Sequence, residues 1–300
     1  MTNRSIGRNV PLTRKTGARK LILPYLLTFP VSLVIMALLI YPLIYVIYLS
    51  FQSSAAGSSN LQFAGLKNFT RMLFSPIFLV SLKNTFIFTV GSTAMSFAIG
   101  ISIAYLINSI ERGKNFFRIA FILPLAVAPV VTGLTWSMML NPLYGVVNYL
   151  LKFIGIEGLE WATHSKTALL TVMLIEVWQW SPFMMLIFYA SFQVLPKEPL
   201  EAAMIDGASW WQSLLHVSLP LLKPAIIIAL IFRLTDAFKS FDVIYTITRG
   251  GPGYASTTLV MRAYLEAFQF HNLEHAAVLG IVMLVISLFI SKQAIKFLPK

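Results

Sequence analysis

Charged side chains recur at every third position in one apolar stretch of the chain. They alternate in sign and are Arg233, Asp236, Lys239 and Asp242. On a helix, residues three apart share a face, so neighbours of opposite charge can neutralise each other. If the stretch crosses a membrane, such charges normally face the interior of the helical bundle or a water-filled path. We call these four charged residues the ladder. They predict either a solute pathway or an ion-pair network that only packs helices against one another.

A second apolar stretch, 168–192, carries the acidic residue Glu176 among aromatic and hydrogen-bonding neighbours. Those neighbours are Trp178, Gln179 and Trp180. We predict that the pathway residues are Glu176, Trp178, Gln179, Arg233, Asp236 and Asp242. Within this set, Glu176 and Asp236 are expected to face the cavity, with Arg233 chiefly their structural partner. The packing alternative stays open.

Signatures of catalysis and of nucleotide binding are missing from the sequence. It contains no G-x-x-x-x-G-K-[ST], no G-x-S-x-G and no H-E-x-x-H. It contains no cysteine either, which excludes disulfides, thiolate metal sites and a cysteine nucleophile. His271 and His275 would share a helical face, but with only Glu274 nearby they are better interpreted as interfacial polar residues than as zinc ligands. We therefore expect no enzyme activity, no metal site and no cofactor in this chain.

Composition identifies an integral membrane protein. Of the 300 residues, 57% are hydrophobic and 11% are charged, whereas soluble domains have about 25% charged residues. So few charges cannot cover so much apolar surface in water. Six stretches approach or exceed the ~20 residues that a helix needs to cross a bilayer. They cover about 21–49, 85–106, 116–140, 168–192, 224–246 and 275–297.

The distribution of positive charge predicts the orientation of these spans. The net charge is +12, and the first 20 residues hold six basic residues and no acidic one. Lysine and arginine are concentrated on the cytoplasmic side of membrane proteins, and an even number of spans places both termini on one side. We expect a basic cytoplasmic tail at 1–20 and a transmembrane domain at 21–300 with both termini inside. The charge is thus explained by the membrane, and no nucleic-acid partner is expected.

The internal loop 195–223 predicts two short helices with a turn between them. Pro199 suits the first turn of a helix, because its missing N–H would have no partner there. Gly207 supplies the left-handed conformation that ends a helix. A second amphipathic segment, 209–217, is expected to stop before Pro220. By residue type alone, the pair is either a docking element at the cytoplasmic mouth or an interfacial helix anchored by its two adjacent tryptophans.

The same loop resembles the EAA motif of ABC importer permeases, whose pattern E-A-A-x-x-D-G-A continues to L-P. The matching residues are Glu201, Ala202, Ala203, Asp206, Gly207, Ala208, Leu219 and Pro220. Other stretches resemble the carbohydrate-uptake permeases of the maltose type. Among them are GLKNF at 65–69, FDVIY at 241–245 and TRGGP at 248–252. The resemblance covers about residues 20–298.

This resemblance implies a fold and a mechanism. The fold would be all-α, with the six transmembrane helices of a type I ABC importer permease and both termini inside. The motif residues would form a coupling helix that docks in a cytoplasmic ATPase, with Glu201 in a charged contact. The chain would perform no chemistry, because ATP and magnesium would bind to the ATPase subunits.

The resemblance also implies partners and a solute. The partners would be a second, different permease subunit in a heterodimer, two cytoplasmic ATPases, an external or periplasmic sugar-binding protein and the lipid of a bacterial inner membrane. The solute would be a carbohydrate or related polyol, for which the predicted pathway offers hydrogen-bonding groups and aromatic faces. A secondary transporter or channel for small polar solutes is the alternative, although secondary transporters commonly show internal repeats.

Overall fold

The computed structural model describes residues 18–54 and 61–296. Over these residues the regular secondary structure is helical apart from one antiparallel pair of short strands, β1 (Gln52–Ser54) and β2 (Leu61–Phe63). The α-helices are α1 Ala18–Ser50, α2 Lys67–Leu73, α3 Pro76–Ser109, α4 Lys114–Ile122, α5 Pro129–Met139, α6 Val146–Phe153, α7 Ala168–Gln193, α8 Glu198–Ile205, α9 Trp210–Ser213, α10 Leu219–Leu221, α11 Lys223–Phe238, α12 Asp242–Ile247, α13 Leu259–Tyr264 and α14 Leu273–Lys296. Most of the predicted basic tail, 1–20, lies outside the described residues.

Four of these helices are long and apolar enough to cross a bilayer, namely α1, α3, α7 and α14. Two bent pairs also meet this criterion when each is taken as one span. In the first, α4 and the 3₁₀ turn after it meet α5 at 93°, and in the second, α9 and α10 meet α11 at 77°. The bent pairs bring the total to the six spans that the sequence predicts.

Prolines produce the first bend. The stretch 116–140 was predicted as one span, but its helix is interrupted between Pro124 and Pro129. Val127 and Ala128 have extended backbone conformations there, with ψ of 132° and 137°. A proline disfavours the helical conformation of the residue before it, so Ala128 separates two helices and the predicted span at 116–140 is bent at this point.

The first helix, α1, belongs to a compact unit of its own that ends at Tyr48. It has 33 residues, and its part from Leu27 to Ser50 is apolar enough to cross a membrane. A helix that is apolar all round is typical of a membrane span.

Within the second unit, which begins at Leu49, α3 and α7 form the most extensive helix–helix contact. Small residues of α3 allow the two backbones to approach closely, as is common in membrane proteins. A Cβ atom added at Gly100 would lie 2.9 Å from the backbone nitrogen of Met185 and 3.0 Å from the carbonyl oxygen of Ser181. Beside this contact, Met184 and Phe188 are fully buried in the core.

Enlarging Gly100 should therefore separate α3 from α7. We expect Gly100→Leu to lower the free energy of unfolding by about 1–3 kcal/mol, the usual cost of overpacking. Thermal unfolding of the purified protein in detergent measures this. Ala98→Leu on the exposed side of the same helix is the matched control and should unfold like the parent. Equal midpoints for the two variants would contradict this account of the contact.

Candidate functional site

A buried ion-pair cluster joins α7 to α11. Arg233 is 0% exposed, and its Nη2 donates to Oε1 of Glu176 at 3.0 Å while its Nη1 donates to Oδ2 of Asp236 at 3.2 Å. Glu176 is 1% exposed, and its second carboxylate oxygen accepts a hydrogen bond from Ser240 Oγ at 3.2 Å. The guanidinium of Arg233 also lies 5.4 Å from the ring centroid of Trp180. Each buried charge thus has an opposite partner, as removal from water requires.

Helical spacing places these groups together. Glu176 and Trp180 are four residues apart on α7, and Arg233 and Asp236 are three apart on α11, so each pair shares a face. The contact between the two helices then brings Arg233 between both carboxylates.

The predicted ladder does not continue along one helix. α11 ends at Phe238, Lys239 follows it, and Asp242 is the first residue of α12. The expectation of one continuous span at 224–246 is therefore wrong beyond Phe238. Side chains fix the turn at 239–241, because Ser240 bonds to Glu176 and the ring of Phe241 lies 4.9 Å from that of Tyr264.

A cavity of about 310 Å³ lies beside the cluster. The polar groups that line it are three carboxylates, one ammonium and one hydroxyl, and they belong to Glu176, Asp236, Asp242, Lys239 and Ser240. Trp180 and Phe241 contribute aromatic surface. The Asp236 side chain is 45% exposed, so it pairs with Arg233 and still reaches the cavity. Convergent polar groups beside aromatic rings are suited to holding a small polar solute.

The other two predicted pathway residues lie elsewhere. Each residue of an α-helix turns by about 100°, so Trp178, two residues from Glu176, points to the other side of α7. Gln179, three residues from Glu176, lies on a neighbouring part of the same face but bonds to a different partner. Trp178 packs against Trp136 with ring centroids 5.5 Å apart and lines a separate apolar cavity. Gln179 is 2% exposed, and its Nε2 donates to the carbonyl oxygen of Val127 at 2.8 Å, in the bend between α4 and α5. The structure thus groups Glu176, Arg233, Asp236 and Asp242, but not these two.

In the loop 195–223, α8 and α9 are separated by a turn at Gly207, whose φ is +75°. The turn is closed by backbone hydrogen bonds from Gly207 to Met204 at 3.1 Å and from Ala208 to Ala203 at 2.9 Å. Only glycine adopts this conformation without strain. A capping box then begins α9. The side chain of Ser209 accepts a hydrogen bond from the backbone N–H of Gln212, and the side chain of Gln212 accepts one from the backbone N–H of Ser209.

The second helical segment extends further than predicted. A π-helical turn at Leu214–Ser218 leads directly into α10, which contains Pro220 and ends at Leu221. The prediction that it stops before Pro220 is wrong. The backbone N–H of Leu219 donates to the carbonyl oxygen of Leu214, five residues earlier, and this bond carries the helix on into α10. This wider turn changes the hydrogen-bonding pattern just where the proline has no N–H to donate.

The motif residues form a surface at the end of the bundle. Glu201, Ala202, Asp206, Gly207 and Pro220 are exposed, while Ala203, Ala208 and Leu219 are half-buried. No described salt bridge involves Glu201, which leaves its carboxylate available to a partner.

Aromatic contacts join this surface to the long helices. The ring centroid of Tyr105, near the end of α3, lies 5.8 Å from Trp210 of α9 and 5.9 Å from Phe192 of α7. Tyr105 therefore connects α9 with both α3 and α7.

Sequence reasoning missed a second buried ion pair. Arg262 bonds to Glu266 four residues later, and the Glu266 carboxylate lies 3.7 Å from Nδ1 of His275. The signal was opposite charge at helical spacing, as in the ladder. His275 also bonds to Asn272. Among the described residues, no group of three or more histidine or acidic side chains is arranged to hold a metal ion.

Comparison with known proteins gives consistent matches over most of the chain. Residues 96–298 match the family described as "Binding-protein-dependent transport system inner membrane component". The trehalose/maltose transport system permease protein MalF of Thermococcus litoralis is 34% identical over 262 residues, which cover 87% of this chain and 88% of that protein. The sn-glycerol-3-phosphate transport system permease protein UgpA of Agrobacterium fabrum is 33% identical over 282 residues, covering 93% and 95%.

The fold also matches a solved structure. A chain in the crystal structure of a bacterial alginate ABC transporter, in complex with an alginate pentasaccharide-bound periplasmic protein, superposes with a TM-score of 0.79. The sequences are 23% identical, and the match covers 92% of this chain and 94% of that one.

Removing Arg233 should leave Glu176 buried without a counter-charge. We expect Arg233→Met to lower the free energy of unfolding by about 3–5 kcal/mol, the usual cost of breaking a buried pair. The double variant Arg233→Met with Glu176→Gln should regain most of this loss, because no buried charge remains. Thermal unfolding of the purified protein measures both.

Asp236→Asn is the matched control for this experiment. Its carboxylate is half-exposed and Arg233 keeps its bond to Glu176, so the change in stability should stay below about 1 kcal/mol. An Arg233→Met variant as stable as the parent would show that the pair does not support the bundle.

Proposed function

The chain belongs to the family of binding-protein-dependent transport system inner membrane components, and we propose that the solute it carries is a carbohydrate or a related polyol. As a member, it is a multi-pass permease subunit of an ABC importer with the type I permease fold, and ATP is hydrolysed by a separate subunit. The family thereby decides against a secondary transporter, a channel or an intramembrane enzyme. An ATPase and an external binding protein are its partners.

The observation that carries the carbohydrate proposal is the similarity to a trehalose/maltose permease across 87% of the chain. The cavity beside the ion-pair cluster supports it, since carboxylates, a hydroxyl and aromatic rings bind sugar hydroxyl groups and apolar sugar faces. Asp236 and Asp242 would contact the solute directly. Glu176 and Ser240 would complete the polar wall, and Arg233 would hold the two acids in position.

We propose further that the exposed motif residues of α8 and the Gly207 turn dock in the cytoplasmic ATPase. Glu201 lies in the first turn of α8, and its exposed carboxylate is suited to a basic residue of the ATPase cleft. Closure of the ATPases would displace α8 and α9 as a rigid pair. Their aromatic contact with Tyr105 supports transmission to the long helices.

The remaining partners belong to the same proposal. A second, different permease subunit would form a heterodimer with this chain and supply the other wall of the pathway. Two ATPases would then bind, one beneath each permease subunit.

The coupling role predicts a specific dependence on Gly207. Valine is a strong outlier at positive φ, whereas asparagine tolerates it, and open space surrounds the position, since no atom lies within 4 Å of an added Cβ. Gly207→Val should therefore abolish ATP-driven uptake while the protein still inserts and assembles. Gly207→Asn, the matched control, should retain most uptake. Equal uptake by both variants would show that the turn conformation does not matter.

The docking face itself can be tested on a chain that has no native cysteine. Glu201→Lys should abolish uptake, because it reverses the charge at the proposed contact. Ala203→Cys should cross-link to the ATPase and not to the external binding protein. Capture of the binding protein by this cysteine would place the loop on the wrong side of the membrane.

The pathway role predicts loss of transport without loss of assembly. Asp236→Asn and Asp242→Asn should each lower uptake of a labelled carbohydrate by about ten- to a hundredfold, the range expected for a lost charge-assisted hydrogen bond. Proteoliposomes with the complete importer, offered a panel of labelled sugars, alditols and amino acids, give the measurement. Glu111→Gln, an exposed acid outside the cavity, is the control and should transport normally.

The carbohydrate assignment and the pathway role of the two aspartates would be contradicted by different results. Uptake of an amino acid but of no sugar or alditol by the unsubstituted importer would overturn the carbohydrate assignment. Sugar uptake that is unchanged in both variants would instead remove Asp236 and Asp242 from the pathway.

A further inference from the structure

The short helix α6, between the fifth and seventh helices, presents an apolar face that no other described residue covers. The face consists of Val146, Tyr149, Leu150 and Phe153, at the spacing of one helical stripe. Their exposed fractions are 46%, 69%, 59% and 85%. Such large apolar exposure is not explained by packing within the described chain, so this face has another environment.

The opposite face of α6 is anchored by a polar network. Asn148 is 3% exposed; it donates to the carbonyl oxygen of Leu159 at 3.0 Å and accepts from the indole Nε1 of Trp161 at 2.7 Å. The carbonyl oxygen of Trp161 accepts in turn from Thr171 Oγ1 at 2.8 Å. The helix is therefore held in one orientation, with its apolar stripe pointing away from the bundle.

This network also fixes the depth of α6 relative to the membrane. Thr171 is the fourth residue of α7, so it lies within about 6 Å of the end of that helix. Val147 of α6 and Trp161 line the same apolar cavity as Trp178 of α7. Because α7 is a membrane-spanning helix, α6 lies level with the end of a span and does not project into water.

We propose that α6 is an interfacial helix whose apolar stripe is inserted in the lipid bilayer at the membrane surface opposite the loop 195–223. Its chemistry fits the boundary between headgroups and acyl chains. Tyrosine is enriched at that depth, and Tyr149 lies on the stripe. Lys152 is exposed beside the stripe, where its ammonium can reach lipid phosphates while its methylenes stay in the apolar layer.

Lipid fits this face better than a transient protein partner such as the external binding protein does. Protein–protein interfaces of non-obligate complexes are about as apolar as the remaining protein surface and carry many hydrogen bonds. The stripe of α6 offers one hydroxyl, that of Tyr149, and no charge. Amphipathic helices with this composition lie in the plane of the membrane surface.

The native absence of cysteine allows a direct test by spin labelling. Leu150→Cys and Phe153→Cys are labelled in the assembled importer, in nanodiscs of phosphatidylethanolamine and phosphatidylglycerol. Val285→Cys on the exposed side of α14 gives the deep lipid reference, and Glu157→Cys in the exposed segment after α6 gives the aqueous reference. Collisions with oxygen, which partitions into lipid, are compared with collisions with a water-soluble nickel chelate.

We expect both labels on α6 to show an oxygen-to-nickel ratio several-fold above that at 157, and below that at 285. Nickel accessibility equal to that at 157 would place the face in water and overturn the proposal. Protection from both reagents, or a change when the external binding protein is added, would identify a protein contact and overturn it equally.

A second measurement uses the unsubstituted chain and does not depend on labelled variants. A photoactivatable phosphatidylethanolamine with the reactive group near its headgroup is incorporated in the nanodiscs, and adducts are mapped by mass spectrometry. Adducts within 143–156 are expected. Their absence, alongside adducts on α14, would count against lipid contact at α6.

Discussion

A buried arginine between two carboxylates is the constraint on which the centre of this permease depends. Arg233 and Glu176 are both removed from water, and a charge in that environment is tolerated only with a counter-charge at hydrogen-bonding distance. The pair fixes the register of α11 against α7, since a slide of one helical turn, about 5.4 Å, would leave both groups unpaired. It also decides the position of Asp236, which bonds to Arg233 from the cavity side. One interaction thus packs two helices and orients an acid toward the cavity.

The two interpretations of the charged ladder are therefore not exclusive. Glu176 and Arg233 behave as a packing pair, because neither is exposed. Asp236 and Asp242 line the cavity beside Lys239, where water or a solute can reach them. The division follows from depth in the fold, which the residue types alone could not show. Helical spacing brought Arg233 and Asp236 to one face, but the contact with α7 decided which acid is covered.

The sequence predicted the number and approximate positions of the apolar stretches and the turn at Gly207, because length, hydropathy and a positive φ for glycine are local properties. It did not predict the bends. Ala128 precedes a proline, which is a local signal of a break in the helix. Apolar composition alone does not show this break, because it favours a span over the whole of 116–140. The end of α11 at Phe238 had no such signal. It depends on Ser240 bonding to a residue 64 positions away, and a contact of that kind is visible only once the helices are packed. The contacts of Trp178 and Gln179 likewise become visible only in the packed structure, where Trp178 lies against Trp136 and Gln179 donates to the carbonyl oxygen of Val127.

The positions of the bends limit how this subunit can change shape. α11 begins directly after the proposed docking loop and carries Arg233 ten residues later, so the loop and the ion pair are joined by one continuous helix of 16 residues. α7 is bound to α11 by that pair and to α3 by close backbone packing at Gly100. Sliding between these three helices would break the buried pair or separate the backbones, and packed interfaces of this kind shift between discrete arrangements instead of deforming continuously. The breaks in the helices at 127–128 and at 239–241 are places where a rotation would leave these contacts intact. Both breaks border the same cavity, through Pro129 on one side and Ser240 on the other, so a rotation at either break would change the shape of the cavity.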